Sequence, residues 1–282
     1  MSEKRTDLRL GPIVIEHMDL AQIADSGQCF TWTPLDEGCY AIQALGRCLV
    51  AVQEGDRFFF SCSEDEFRQL WSHYFDLERD YGQLKRRIDP EDAYLRAAVE
   101  YGGGIRVLKQ DLWEVMVSFL ISQNNNIGRI RNSIRGLCGE YGRKMPMDGG
   151  RFYYAFPRPE ELAAAGEADF IRLGLGYRAK YLKALTEDMK DGGLAQLKGE
   201  LDGADDETAG ERLMSIYGIG KKVADCICLF GLHRTGVFPV DTHIKKIIAG
   251  NYAGNFPYER YGSELGIVQQ YLFYYHLKGS AY

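Results

Sequence analysis

The chain has 282 residues, of which 45% are hydrophobic and 12% aromatic, and it contains only 8 prolines. This length allows one large domain or two to three packed subdomains, and the composition excludes both a disulfide-stapled miniprotein and a disordered chain. The net charge of −6 is uneven, because residues 1–90 hold 10 basic and 16 acidic side chains and the other 192 residues hold 24 of each. The later residues therefore permit a nucleic-acid partner without indicating one.

The sequence shows no feature of a membrane protein. MSEKRTDLRL lacks an apolar signal segment, and no apolar run reaches the roughly 18 residues of a membrane span. The seven cysteines are scattered, apart from Cys226 and Cys228 in one apolar run, which is typical of reduced core thiols. We therefore expect a cytoplasmic protein.

Two kinds of periodicity follow each other along the chain. Residues 12–62 are rich in aromatic and β-branched residues and are broken by the turns LDEG and QEGD, which predicts an antiparallel meander. From Ser63, which precedes Glu66 in a capping-box pattern, apolar residues recur at helical spacing. Further helices are predicted near residues 91–101, 111–122, 126–141, 159–173, 177–190, 205–216, 221–232, 243–249 and 264–277.

This order of elements predicts an α+β fold. We expect an N-terminal antiparallel β subdomain with short helices over residues 1–90 and a predominantly helical region over residues 91–282. Strands and helices do not alternate, which argues against a doubly wound parallel sheet.

Residues 207–232 indicate a helix-hairpin-helix, with two helices joined at Tyr217-Gly218-Ile219-Gly220. The glycines permit backbone conformations that a Cβ atom would forbid. The first amides of the second helix can then approach a phosphate, and the helix dipole favours that anion. Such a hairpin holds a nucleic-acid backbone without reading its sequence, although a purely structural αα-corner fits the same glycines.

Lys222 and Asp241 add chemistry to this hairpin. Lys222 lies in the first turn of the second helix, where the dipole and the apolar neighbours Val223 and Cys226 favour a nucleophilic amine. A solvated surface charge is the alternative for any lysine, and we expect it for Lys221. Asp241 also fits the N-cap of a helix that begins near residue 243, and a catalytic role is compatible with capping.

GIGKKVADCICLF and PVDTH resemble the hairpin and the catalytic aspartate of the 8-oxoguanine DNA glycosylases, members of the HhH-GPD superfamily. Four more blocks in the expected order resemble the same family: SGQCFTW at 26–32, the segment 101–130, LGLGYRAKY at 173–181 and VQQYLF at 268–273. The resemblance covers roughly residues 10–280. It implies a TBP-like sheet packed on a helical glycosylase region, and excision of 8-oxoguanine, preferably opposite cytosine, from duplex DNA in base excision repair.

The resemblance also implies the roles of individual residues. The Lys222 amine would attack C1′ of the sugar while Asp241 stabilises the developing positive charge, and the resulting imine would allow elimination of the 3′ phosphate, a lyase step. The carbonyl of Gly27 would accept the N7–H that distinguishes 8-oxoguanine from guanine. The matching base-contact positions are Cys226 and Phe273 on the two faces of the base and Gln269 on its Watson–Crick edge. Taken alone, Phe273 fits a core residue.

The DNA contacts implied by the resemblance surround this pocket. Tyr177 would be the wedge and Asn124 the residue in the gap left by the flipped nucleotide. Arg129 and Arg178 would bond the opposite cytosine, although both also fit ordinary surface arginines. The amides of Gly218, Gly220 and Val223 would hold phosphates, and His243 would lie near the phosphate backbone. A structural role for His243, with a partner inside the protein, is an equal alternative.

The implied chemistry requires no cofactor. Family hairpins can hold a monovalent cation on their carbonyls, and the absence of cysteines after Cys228 predicts that no iron–sulfur cluster is bound. We expect a monomer that acts on double-stranded DNA containing 8-oxoguanine, associated with the nucleoid if the source is bacterial. A glycosylase for another damaged base and a non-catalytic DNA-binding hairpin protein remain alternatives, although the second leaves Lys222 with Asp241 unexplained. Gln123 and Cys29 stand where the family often has serine.

Overall fold

The computed structural model describes residues 8–147 and 150–279, and it confirms the α+β class. The strands are β1 (Leu10–Val14), β2 (Trp32–Asp36), β3 (Cys39–Ala44), β4 (Arg47–Glu54), β5 (Arg57–Phe60), β6 (Lys144–Pro146) and β7 (Phe152–Tyr154). The α-helices are α1 (Leu20–Asp25), α2 (Glu64–Glu66), α3 (Ser72–Tyr74), α4 (Tyr81–Arg86), α5 (Ala93–Tyr101), α6 (Leu112–Ser122), α7 (Ile127–Tyr141), α8 (Pro159–Leu162), α9 (Glu167–Arg172), α10 (Ala179–Met189), α11 (Gly193–Asp202), α12 (Asp206–Met214), α13 (Lys221–Gly231), α14 (Thr242–Asn251), α15 (Tyr258–Tyr261) and α16 (Leu265–Tyr274).

Short segments of other helix types extend this set. Two are π-helical, Phe67–Trp71 between α2 and α3 and Tyr275–Gly279 after α16. The 3₁₀-helical segments include Gly176–Arg178 before α10 and Gly262–Glu264 before α16. No helix of the described residues is long and apolar enough to cross a membrane.

The predicted meander is the N-terminal sheet, with the strand order β1-β5-β4-β3-β2 and antiparallel pairing throughout. One face of the sheet packs on the helical segment that follows it, where Trp71 and Phe75 contact the core with Phe58 and Phe60. Ser63 caps that segment as expected, since its hydroxyl accepts from the Glu66 amide at 3.2 Å. The seven cysteines are free thiols, six of them buried.

Helix α6 is the centre of the helical region. Every residue from Leu112 to Ile121 is buried, as expected of a helix that is covered on all sides. It packs along α13, where the rings of Phe119 and Phe230 stack with centroids 5.2 Å apart. Because α13 is the second helix of the hairpin, the hairpin packs directly on this buried helix.

The structure corrects four details of the sequence-based prediction. Helix α1 lies inside the stretch predicted as strands, and α11 lies in an acidic stretch without a predicted helix, where only Leu197 and Leu201 are buried. The two-stranded ribbon β6–β7 interrupts the helical region. The helix predicted over 159–173 is two helices, because Gly166 caps α9 and its amide donates to the Asp169 carboxylate at 2.9 Å.

A buried acid joins the sheet to the helices. Glu114 of α6 is 8% exposed, and burial raises its pKa to about 8, against the opposing effect of its hydrogen bond with Thr31. The Thr31 hydroxyl lies 2.8 Å from both the Gln43 carbonyl oxygen and Glu114 Oε1. A hydroxyl has one proton and a carbonyl has none. When Thr31 donates to Gln43, the protonated Glu114 must therefore be the donor in the other bond.

We expect Glu114 to make stability depend on pH. Its pKa is higher in the folded protein than the ordinary value of 4.5, so the folded state binds a proton that the unfolded state releases. The contribution of Glu114 is then fully present below about pH 4.5 and is lost as pH rises toward about 8. In Glu114→Gln the amide can still donate to Thr31. Between about pH 5.5 and pH 8, the free energy of unfolding measured with urea should therefore fall less in this variant than in the wild-type protein. The same fall in both proteins would contradict this assignment.

Candidate functional site

A cavity of about 700 Å³ lies where the loop after α1, the α6–α7 loop, the starts of α13 and α14, and the chain at the end of α16 meet. Six residues that the sequence singled out line it: Gly27, Asn124, Lys222, Asp241, His243 and Phe273. The fold thus brings residues from both ends of the chain to one space.

Lys222 lies in the first turn of α13, half-buried. Its Nζ is 5.3 Å from the ring centroid of Phe119, within cation–π distance, and its charge acts on the thiol of Cys226 one turn later. Among the ion pairs of residues 8–147 and 150–279, none includes Lys222, whereas the 73% exposed Lys221 pairs with Asp225. The two adjacent lysines therefore differ in environment as expected, one at the cavity and one in solvent.

Cys226 is held as a neutral thiol. Burial raises its pKa to about 11, although the neighbouring Lys222 acts in the opposite direction. Cys226 is 3% exposed and Gln269 is 4% exposed, and neither is among the described residues that line the cavity. The amide oxygen of Gln269 accepts from Gln270 Nε2 at 3.0 Å. In this conformation neither of these two predicted base contacts lines the cavity.

Asp241 caps helix α14, as the sequence suggested. Its Oδ1 accepts from the amides of His243 and Ile244 at 2.9 and 2.8 Å. These bonds fix the carboxyl group at the cavity and use only one of its oxygens. The second oxygen, Oδ2, remains available for a substrate group.

Gly27 and Phe273 approach closely across the cavity. Gly27 has φ +77°, in the left-handed region, and a Cβ atom added there would lie 3.2 Å from Cε1 of Phe273. A larger residue would therefore be strained and would press on the aromatic ring.

A pair of histidines extends this wall. The His243 ring packs edge-on against Phe273 with centroids 5.7 Å apart, and against His276 at 5.4 Å. Burial, followed by the charge of His243, lowers the pKa of His276. His276 was not predicted from the sequence, because a single histidine after an apolar run does not indicate its contact with His243.

Gln123 connects the α6–α7 loop to the hairpin. Its Nε2 donates to the carbonyl oxygen of Gly218 at 3.0 Å, while its own carbonyl accepts from the Tyr177 hydroxyl at 3.3 Å and from Arg178 Nε at 2.6 Å. The next residue, Asn124, has φ +46°, in the left-handed region that asparagine adopts more readily than most residues. Sequence analysis noted Gln123 only as a departure from the family and missed this connection.

The two predicted cytosine contacts differ in exposure. Arg129 is exposed at the start of α7. Arg178 is 7% exposed, and its guanidinium donates to the backbone carbonyls of Gln123, Asn124 and Leu175. A contact of Arg178 with DNA would have to replace these bonds, so that role stays a prediction, whereas Tyr177 is half exposed and accessible.

The hairpin glycines serve different purposes. Gly218 has φ +91°, and a Cβ atom there would lie 2.5 Å from Cγ of Tyr181. Gly220 is the N-cap of α13, and a Cβ atom there would meet nothing within 4 Å. Because no side chain caps α13, the amides of its first turn, which includes the buried Val223, are open to an anion.

Comparison with known proteins identifies the family. Residues 117–255 match the model described as HhH-GPD superfamily base excision DNA repair protein. Residues 12–116 match the N-terminal domain of 8-oxoguanine DNA glycosylase. The chain therefore belongs to the HhH-GPD superfamily and, within it, to the 8-oxoguanine DNA glycosylases, as its sequence motifs indicated.

Two curated relatives are similar over part of their length. The chain is 41% identical over 158 residues to the N-glycosylase/DNA lyase of Saccharomyces cerevisiae. This match covers 53% of this chain and 42% of the relative. It is 33% identical over 195 residues to the N-glycosylase/DNA lyase OGG1 of Arabidopsis thaliana. That match covers 68% of this chain and 49% of the relative. The chain thus spans less than half the length of these two relatives.

A solved structure is similar over the whole chain. It is the 8-oxoguanine glycosylase/lyase of Clostridium acetobutylicum in complex with double-stranded DNA containing cytosine opposite 8-oxoguanine. It has 35% sequence identity and a TM-score of 0.87 and covers 97% of both chains.

We expect the two hairpin glycines to respond differently to alanine. Gly218→Ala should lower the free energy of unfolding by about 1–3 kcal/mol, because the left-handed backbone and the ring of Tyr181 both oppose a Cβ atom. Gly220→Ala is the matched control and should lower it by less than about 1 kcal/mol, the cost of alanine at an N-cap. Urea unfolding of both variants measures the difference, and equal losses would be inconsistent with the observed packing.

Proposed function

We propose that this protein is a bifunctional DNA glycosylase and AP lyase that excises 8-oxoguanine, preferably opposite cytosine, from duplex DNA. The observation that carries the proposal is the position of Lys222, an amine that lines the same 700 Å³ cavity as Asp241, with no carboxylate partner among the described ion pairs. The names of the two curated relatives and the DNA complex of the Clostridium enzyme support it.

The cavity suits a base that has left the duplex. Its volume falls within the ordinary range of about 300–1,000 Å³ for small-molecule sites. An enzyme that attacks the sugar carbon of a nucleotide must first turn that nucleotide out of the stack. Tyr177, which is 50% exposed, and Asn124, which lines the cavity, would fill the space that the nucleotide leaves.

The proposed reaction uses only groups of this chain. The Lys222 nitrogen forms a bond to C1′ as the C1′–N9 bond breaks, and the departing base takes up the electron pair and a proton. Asp241 stabilises the positive charge on the sugar and accepts the proton lost by the amine. The C1′–O4′ bond then breaks as the nitrogen lone pair forms the C=N bond, and O4′ takes up a proton. The resulting iminium acidifies C2′–H, and loss of that proton expels the 3′ phosphate. The sequence expectation that no cofactor is required agrees with this scheme.

Recognition of the damaged base would fall to Gly27, Phe273, Cys226 and Gln269. The Gly27 carbonyl would accept the N7–H of 8-oxoguanine, and guanine would instead present a lone pair to it, a difference of about 1–3 kcal/mol. Phe273 and the neutral thiol of Cys226 would cover the two faces of the base. Gln269, which bonds Gln270 in this conformation, would have to turn to reach the Watson–Crick edge.

The remaining DNA contacts and the setting of the enzyme are also proposals. Phosphates would bind the open amides at the start of α13, with His243 nearby, and Arg129 would select cytosine. A monovalent cation on the hairpin carbonyls, a monomeric state and a cytoplasmic location stay predictions from the sequence.

Borohydride trapping tests the nucleophile. Reduction of the imine should link wild-type protein covalently to a duplex containing 8-oxoguanine, most strongly opposite cytosine among the four bases. Lys222→Gln should lose the adduct while still binding the duplex, because the amine is gone and the hairpin amides remain.

Lys221→Gln is the matched control, since it makes the same change one residue earlier at a solvent-exposed position. It should retain the adduct. An undiminished adduct in Lys222→Gln would refute the assignment, and equal adducts opposite all four bases would refute the preference for cytosine.

Two substitutions separate the roles of Asp241. Asp241→Asn keeps an oxygen that can accept from His243 and Ile244 but removes the charge, so it should retain stability and lose at least about 100-fold in single-turnover excision. Asp241→Ala should lose the activity and also about 1 kcal/mol of stability, because the cap is absent. Thermal unfolding and excision rates are measured together, and full activity in the asparagine variant would exclude an electrostatic role.

A further inference from the structure

Three tyrosines and a lysine form an exposed ledge beside the hairpin. The tyrosine ledge consists of Tyr177, Lys180, Tyr181 and Tyr217. The rings of Tyr177 and Tyr181 meet edge-to-face with centroids 6.0 Å apart, and those of Tyr181 and Tyr217 at 5.0 Å. Tyr177 and Tyr217 are 50% and 55% exposed. Large aromatic side chains left in solvent as a contiguous group mark a contact surface rather than a core.

Lys180 is an unpaired cation on this ledge. Its Nζ lies 5.2 Å from the ring centroid of Tyr181 and 5.9 Å from that of Tyr217. The neighbouring phenol of Tyr217, followed by that of Tyr181, raises the pKa of Lys180. Within the described ranges no carboxylate pairs with it, whereas the partly buried Lys183 and the exposed Lys198 each pair with an acid one helical turn away.

The ledge is continuous with the proposed DNA-binding surface at both ends. At one end the Tyr177 hydroxyl donates to the carbonyl of Gln123 in the loop that carries Asn124. At the other end Tyr217 precedes Gly218, whose backbone packs against the ring of Tyr181. A DNA strand that extends from the lesion to the hairpin amides would therefore pass over Lys180.

We propose that the tyrosine ledge is an additional phosphate-binding site for DNA, in which the Lys180 ammonium and the Tyr217 hydroxyl bind one backbone phosphate next to the hairpin. The inference rests on the proposed function in that it takes duplex DNA as the partner. The ammonium supplies the charge, the hydroxyl supplies a directed donor, and the two rings hold the lysine chain before DNA arrives, which reduces the entropy lost on binding. A site of this composition contacts the backbone and reads no base.

The number of phosphates neutralised by a protein is measured by the salt dependence of binding. Lys180→Met should reduce the slope of log K against log salt concentration by about 0.9, and should weaken binding on the order of 3- to 10-fold at about 0.1 M salt. The loss should be the same for an unmodified duplex and for a duplex with 8-oxoguanine. Tyr217→Phe should weaken binding without changing the slope, because it removes a donor and no charge.

Two control variants make the experiment specific. Lys180→Arg keeps the charge and should keep the slope. Lys198→Met removes an exposed lysine on α11 that pairs with Asp202, and should leave the slope unchanged. An unchanged slope in Lys180→Met, or an equal reduction in Lys198→Met, overturns the ledge as a phosphate site.

The ledge and the proposed enzyme activity can fail separately. The ledge is judged on unmodified duplex, where no chemistry occurs, and the activity is judged by the adduct trapped in wild-type protein. A wild-type protein without an adduct but with the expected slope change refutes the activity alone. An adduct in Lys180→Met with no slope change refutes the ledge alone.

Discussion

The packing of α13 on α6 is the constraint on which the rest of the site depends. Helix α6 is buried from Leu112 to Ile121, so its position is set on every side by the core. It holds Phe119 below the Lys222 amine, and the turn of α13 that contacts it places Cys226 beside the same nitrogen. Lys222 is half-buried and takes part in none of the ion pairs of the described residues, and the packed helix pair keeps its amine at the cavity.

The hairpin is coupled to the loops around it by a few direct contacts. Gln123 bonds Gly218 through its side chain and accepts bonds from Tyr177 and Arg178 on its carbonyl. Gly218 in turn packs on Tyr181. The α6–α7 loop, which would enter the duplex, and the hairpin, which would hold the DNA backbone, are thus joined directly. A shift of one relative to the other would break the hydrogen bond between Gln123 and Gly218.

The N-terminal sheet contributes to the site through the segment that enters β2. Gly27 belongs to that segment, and four residues later Thr31 is tied to α6 by the protonated Glu114. A neutral carboxylic acid in this position avoids a buried charge and can keep its hydrogen bond with the Thr31 hydroxyl. The wall that carries the Gly27 carbonyl is therefore positioned from the helical region and not from the sheet alone.

The features that could be predicted from the sequence are those that depend on residues a few positions apart. The caps at Ser63 and Asp241, the hairpin over 207–232 and the contrast between Lys221 and Lys222 were all predicted, because helix ends and turns are set by local backbone chemistry. The meander was predicted for the same reason, while α1 and α11 escaped prediction because they are short or bury few side chains.

Contacts between side chains that are distant in the sequence could be seen only in the tertiary structure. The contact between Gly27 and Phe273 joins opposite ends of the chain, and the burial of Arg178 under three carbonyls, the pairing of His243 with His276 and the tyrosine ledge have no trace in spacing. The physical reason is that a side chain's partners across the fold depend on how helices pack, and packing is set by the whole core rather than by any segment of it.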